Sequence, residues 1–116
     1  MKNIVQEKSF KFALDIVELY KNLKKQNEFV ISKQLLRSGT SIGANVEEAS
    51  AAQTKKDFIT KMSIASKEAR ETRYWLRLLQ QSKIVNFDFS MYLNSIEELI
   101  KILTSIVKTS QSNNKK

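Results

Sequence analysis

The sequence predicts an all-α protein, an antiparallel up-down-up-down four-helix bundle, from three observations. Proline is absent and glycine occurs only twice among 116 residues. In a helix interior proline costs about 3 kcal/mol and glycine about 1, whereas the tight turns of a sheet this size would draw on both. Four amphipathic segments follow one another with short polar breaks between them, and short connections make successive helices antiparallel neighbours. The length suits one domain, expected over residues 1–108, with a polar disordered tail at 109–116.

The first helix is expected from about Ile4 to Lys25, with Phe12, Ile16, Leu19, Tyr20 and Leu23 along one side. Phe10, Ala13, Leu14 and Val17 widen that stripe to the breadth a bundle helix needs. A break follows at Gln26–Glu28, where Asn27 can end one helix or cap the next. In the second segment Ile31, Leu35, Ser38, Ile42, Asn45, Ala49 and Ala52 recur in four-three spacing. That phase passes through both glycines, so one continuous helix is expected. The third opens on Thr54, whose hydroxyl can accept from the Asp57 amide, and its seam is Phe58, Met62, Ala65, Ala69, Thr72, Leu76 and Leu79. Beside that seam run Ile64, Glu68, Glu71, Trp75 and Leu78. Lys83–Asp88 makes the next break, with Asn86 or Asp88 as N-cap. The fourth carries Tyr92, Ile96, Leu99, Leu103 and Ile106, broadened by Leu93, Ile100 and Val107.

Composition removes several kinds of chemistry. There is no cysteine and no histidine, so disulfides and the common ligands of zinc, haem and iron–sulfur sites are missing. No metal, no cofactor and no catalytic residue is expected. A nucleophilic hydroxyl would have only lysine or a carboxylate as base, and no lysine sits in an apolar run that would depress its pKa. No stretch of 18 apolar residues suggests a membrane span, and Met1–Lys8 lack the apolar core of a secretory signal. A cytoplasmic protein with no membrane partner is expected. Against 12 acidic residues stand 20 basic ones, a net charge of +8, which serves solubility but also favours polyanions.

The stretch from Arg37 to Asn45, Arg-Ser-Gly-Thr-Ser-Ile-Gly-Ala-Asn, looks most like a site. A phosphate loop would need four residues between its glycines and a lysine after the second. Here three residues intervene and Ala44 follows Gly43. Gly39 and Gly43, with the small Ser41 between them, instead suit close approach of two helix backbones. Ser38 and Asn45 fall on the seam. If the second and third helices turn near Gln53, Arg37 lies level with Glu68 and Glu71, and an Arg37–carboxylate pair is expected to fix their register. The adjacent pairs Glu47-Glu48 and Glu97-Glu98 point about 100° apart and are read as solvated.

Lys67, Arg70, Arg73 and Arg77 recur three or four apart, and Lys21, Lys24 and Lys25 close the first helix. With Tyr74 and Trp75 nearby, such cations can hold phosphates and stack on bases. The plainer alternative is that the arginines pair with Glu68, Glu71 and a neighbouring subunit, and that Trp75 belongs to a core or an interface.

The run Glu28–Ala49, the opening Ser9–Tyr20, and Lys55–Ala65 followed by Lys67–Leu76 together resemble the bacterial four-helix-bundle proteins of 23S ribosomal RNA intervening sequences. The resemblance covers nearly the whole chain. It implies an antiparallel bundle that assembles as a ring-like homopentamer, and it extends to the accessory protein of diversity-generating retroelements, a basic pentameric barrel that binds a reverse transcriptase and nucleic acid. It supplies no catalytic residues. The positions it marks, Arg37, Ser38, Gly39, Ser41, Asn45, Glu48, Glu68, Glu71, Tyr74 and Trp75, read as packing, register and subunit contact. The resulting expectation is a non-catalytic homo-oligomer whose basic surface binds RNA or DNA without sequence specificity. The alternative is a scaffold for a protein partner.

Overall fold

Asn3 starts the fold: its side-chain oxygen accepts from the Gln6 amide at 3.2 Å, satisfying a donor that the first turn leaves free. Helix α1 then runs Ile4–Lys25. In this computed structural model, residues 3–114 are described. Asn27 ends α1 in the left-handed region, at φ 64°, and the Glu28 amide reaches back to the Leu23 carbonyl at 2.9 Å, a Schellman-type closure.

The cap of helix α2 (Ile31–Ser50) belongs to Glu28 rather than to Asn27. Its carboxylate accepts from the amides of Val30, Ile31 and Ser32 at 3.0, 3.0 and 2.6 Å, and the Ser32 hydroxyl donates back to the Glu28 carbonyl at 2.8 Å. Helix α2 passes unbroken through both glycines, as expected. Helix α3 (Lys55–Ser82) opens on the expected cap, the Thr54 hydroxyl accepting from the Asp57 amide at 3.0 Å. It closes at Lys83, held at φ 56°. Before helix α4 (Ser90–Asn114), Asp88 accepts from the Ser90 amide at 3.0 Å and from its hydroxyl at 2.6 Å.

Helix α4 continues past Lys108, where the disordered tail was expected to begin. No glycine or proline interrupts residues 109–114, and extending an existing helix requires far less than nucleating one. The part of the tail expectation that concerns residues 115 and 116 lies outside the described residues.

In cross-section α1 touches α2 and α4, and α3 touches the same two. The molecule measures 50 × 23 × 22 Å. Ile16, Leu23, Leu35, Ile42, Leu76, Leu79, Ile96 and Leu103 are wholly buried, each contributing about 1.5–3 kcal/mol by removal from water. The α3 seam holds from Met62 to Leu79, with Phe58 partly buried at its start. Two expectations need correction. In α2 the buried line runs through Ser32, Gly39, Gly43 and Val46 rather than through Ile31 and Asn45, because α2 must face both α1 and α3 and so buries a wider arc than one heptad seam. Phe10 and Leu14 of α1 are 61% and 54% exposed and do not widen the core stripe. Among the described residues no helix is long and apolar enough to cross a membrane.

Candidate nucleic-acid interface

The glycines of α2 set its distance from α1. A Cβ on Gly39 would lie 3.0 Å from two carbons of the buried Ile16, and one on Gly43 would lie 3.3 Å from the Ser9 carbonyl oxygen. Each is where a side chain would push the helices apart. Ser41, between them, turns its hydroxyl onto the Arg37 carbonyl at 2.6 Å, and the Asn45 amide donates to the Ser41 carbonyl at 2.8 Å. Ser41 and Asn45 are therefore satisfied within α2.

On the other side of α2 the register pair forms. Arg37 donates through Nη1 to Glu68 Oε2 at 3.3 Å and through Nη2 to Glu71 Oε2 at 2.5 Å. Glu71 Oε2 also accepts from the Trp75 indole N–H at 3.0 Å. The Arg37 guanidinium, then the indole, hold the Glu71 carboxyl below its ordinary range, and the two carboxylates in turn raise Arg37. The Arg37 side chain is half exposed, so this ion pair works in a screened setting. Beneath it, fully buried, the Ser38 and Thr72 hydroxyls are bonded at 2.9 Å, and Thr72 also reaches the Glu68 carbonyl at 2.8 Å. Glu68 Oε1 is buried and accepts no hydrogen bond, although Arg37 Nη2 passes 3.3 Å from it. Trp75 packs half-buried against the core, with Tyr74 edge-on to it at 5.1 Å and itself exposed.

The basic residues do not form one free stripe. Arg73 pairs with Glu97 at 2.7 Å and Arg70 donates to the Thr104 hydroxyl at 3.1 Å, so both turn toward α4. Glu97, Glu98 and Glu48 were read as merely solvated; each is exposed but carries an ion pair, with Arg73, Lys8 and Lys61 respectively. Lys67, Arg77 and Lys25 are exposed. Lys21 lies 3.4 Å from Glu18, and the Lys24 ammonium lies 5.2 Å above the Tyr20 ring.

Three residues at the end of the bundle escaped the sequence reading: Lys33 on the first turn of α2, Lys83 at the end of α3, and the half-exposed Phe29. The break signals at Gln26–Glu28 and Lys83–Asp88 could have found them, since the up-down connectivity expected from the sequence would bring these two connections to one end. Gln26 joins them, its amide donating to the Asn86 carbonyl at 3.3 Å and accepting from the Asn86 amide at 3.0 Å. Among the described residues no group of three or more acidic side chains is placed to hold a metal ion.

Fold and surface together define a class: small all-α four-helix proteins of high positive charge whose polar clusters tie helix to helix. The chain belongs to the 23S rRNA-intervening sequence protein family, whose pattern matches residues 1–105. It is also similar to a protein of unknown function from the S23 ribosomal protein family of Bacteroides thetaiotaomicron VPI-5482. The crystal structure of that protein superposes with a TM-score of 0.85 at 52% identity, covering 90% of this chain and 98% of that one. Comparison with curated proteins gave no match.

Proposed function

We propose that this protein is a non-catalytic, cytoplasmic, ring-like homo-oligomer of antiparallel bundles whose basic surface binds RNA or other nucleic acid without sequence specificity. The observation that carries the reading is the net charge of +8 on a molecule where Lys25, Lys67 and Arg77 are exposed. A surface of this sign lowers the free energy of any polyanion near it, and each phosphate it neutralises releases counterions. The antiparallel arrangement is supported by the order of the joined pairs. Gly39 lies by Ile16 and Gly43 by Ser9, Ser38 meets Thr72 and Glu48 meets Lys61, and Arg70 meets Thr104 and Arg73 meets Glu97, so number falls along one helix as it rises along the next. The non-catalytic reading rests on the α2–α3 seam, where the Ser38 and Thr72 hydroxyls bond to each other and to backbone and Glu68 and Glu71 are held by Arg37 and Trp75. The resemblance to the retroelement accessory protein suggests five subunits.

Fluorescence anisotropy against a labelled RNA hairpin, single-stranded RNA and duplex DNA at several salt concentrations tests this. The expected result is an affinity whose logarithm falls linearly with log salt, and which weakens in the Arg70→Gln, Arg73→Gln, Arg77→Gln triple variant. No binding at low salt would overturn it. One observation favours a scaffold for a protein partner instead: Phe10, Leu14 and Tyr74 expose more than half their surface, and apolar surface of this kind is matched by protein rather than by phosphate.

A further inference from the structure

At the end of the bundle where the α1–α2 and α3–α4 connections meet, exposed lysines and exposed apolar side chains occur together. Lys24, Lys25, Lys33 and Lys83 are all exposed. Among the described residues none of the four forms an ion pair, in contrast to Lys8, Lys11, Lys21, Arg37, Lys61 and Arg73. The nearby carboxylates are engaged elsewhere: Glu28 is buried and caps α2, and Asp88, though exposed, accepts from Ser90. On these two connections Phe29, Val30 and Ile84 are 51%, 74% and 59% exposed. Ile84 lines a depression of about 390 Å³ together with Gln26, Gln80, Lys83, Asn86 and Phe87.

Lys83 adds an independent sign. It sits at φ 56°, a conformation for which glycine or asparagine is the unstrained choice at the close of a helix, as Asn27 is on α1. A lysine held there keeps a cation at the mouth of the depression at the expense of stability, as strained residues at binding sites do.

We propose that this end of the bundle is the site that holds single-stranded nucleic acid. Lys24, Lys25, Lys33 and Lys83 take the phosphates, Phe29 offers a face for a base, and the depression beside Lys83 receives a second base. The inference rests on the nucleic-acid reading above and moves its centre away from the arginine stripe, where Arg70 and Arg73 already have partners on α4. Single strands fit better than duplex because a base must be unstacked to reach Phe29 or the depression. A lipid surface fits less well, since Phe29, Val30 and Ile84 sit on two short connections rather than on the long apolar face of an amphipathic helix.

The test titrates the full-length protein against labelled oligo-uridine and a matched duplex across a salt series, with circular dichroism on every variant. The Lys24→Gln, Lys25→Gln, Lys33→Gln, Lys83→Gln variant is expected to lose more affinity than the arginine triple variant. Its salt slope should be shallower by about 3, at about 0.7 per lost phosphate contact on a single strand. Phe29→Ala should weaken oligo-uridine binding about tenfold, as loss of a stacked base does, and leave the slope unchanged. Lys83→Gly separates binding from folding: it should raise the melting temperature while weakening binding. Binding by the wild type that is unchanged in the quadruple variant and in Phe29→Ala overturns this site and leaves the broader function standing. No oligonucleotide binding by the wild type overturns both, as does binding confined to vesicles of phosphatidylglycerol and phosphatidylcholine.

Discussion

Ser38 and Thr72 fall on the expected seams of α2 and α3, and their pairing is what the tertiary structure adds. At zero exposure the two hydroxyls bond to each other. Ser38→Ala or Thr72→Val alone should cost about 1–2 kcal/mol, because each leaves its partner buried and short of a bond. The double variant should cost less than the sum, with a coupling of about 1 kcal/mol readable from a urea double-mutant cycle. Additive singles would show that the hydroxyls do not interact. Glu71 makes a pH prediction at the same scale. Its pKa is lowered in the folded state, first by Arg37 and then by Trp75, so the stability it contributes is present above the ordinary glutamate value of about 4.3 and is lost as pH falls through the folded value. Glu71→Gln should therefore narrow the gap in urea midpoint between pH 7 and pH 3. An undiminished gap would assign acid lability to other groups.

At the scale of the element, α2 is the helix on which the other contacts depend, touching α1 through its glycines and α3 through Arg37 and Ser38. Gly39→Ala is a sharp probe because two effects oppose. Alanine gains about 1 kcal/mol of helix propensity, but its Cβ would meet Ile16 at 3.0 Å, and overpacking costs about 1–3 kcal/mol. Ile16 is wholly buried and has nowhere to retreat, so a net loss of about 1 kcal/mol is expected in thermal or urea melts. Adding Ile16→Val to Gly39→Ala should recover part of it. A stabilised Gly39→Ala would show that α1 and α2 can separate freely. The capping of these helices was legible only in part: Thr54 announced itself by the spacing to Asp57, whereas Glu28 is a cap because Asn27 first turns the chain back and presents Glu28 to three amides.

For the whole molecule, the exposed apolar side chains test assembly. Phe10 and Leu14 on α1, and Tyr74 and Leu78 on α3, touch solvent in the single chain, so replacing them should change its intrinsic stability by no more than about 0.5 kcal/mol. If the proposed ring forms through these faces, light scattering on the wild type should give several subunits. Phe10→Ser with Leu14→Ser should then give a smaller species of unchanged helicity. A monomeric wild type would remove the oligomer from the proposal.

The sequence by itself determined the helix count, most of the helix bounds, the α3 seam, the Thr54 cap, the role of the glycines and the level at which Arg37 meets Glu68 and Glu71. These follow from period, propensity and counting along a hairpin, all of which are local or one turn removed from local. Only the tertiary structure decided which residues flank the seams. Asn45 yields its buried place to Val46, Phe10 and Leu14 turn outward, and Arg73 finds Glu97. These depend on the angle at which each helix is rotated against two neighbours at once, a global packing outcome that no single seam encodes. Lys33, Lys83 and Phe29 at the bundle end were hidden for the same reason: they come from around two separate connections, 83 being fifty residues from 33, and join Lys24 and Lys25 at one end only when the four helices close.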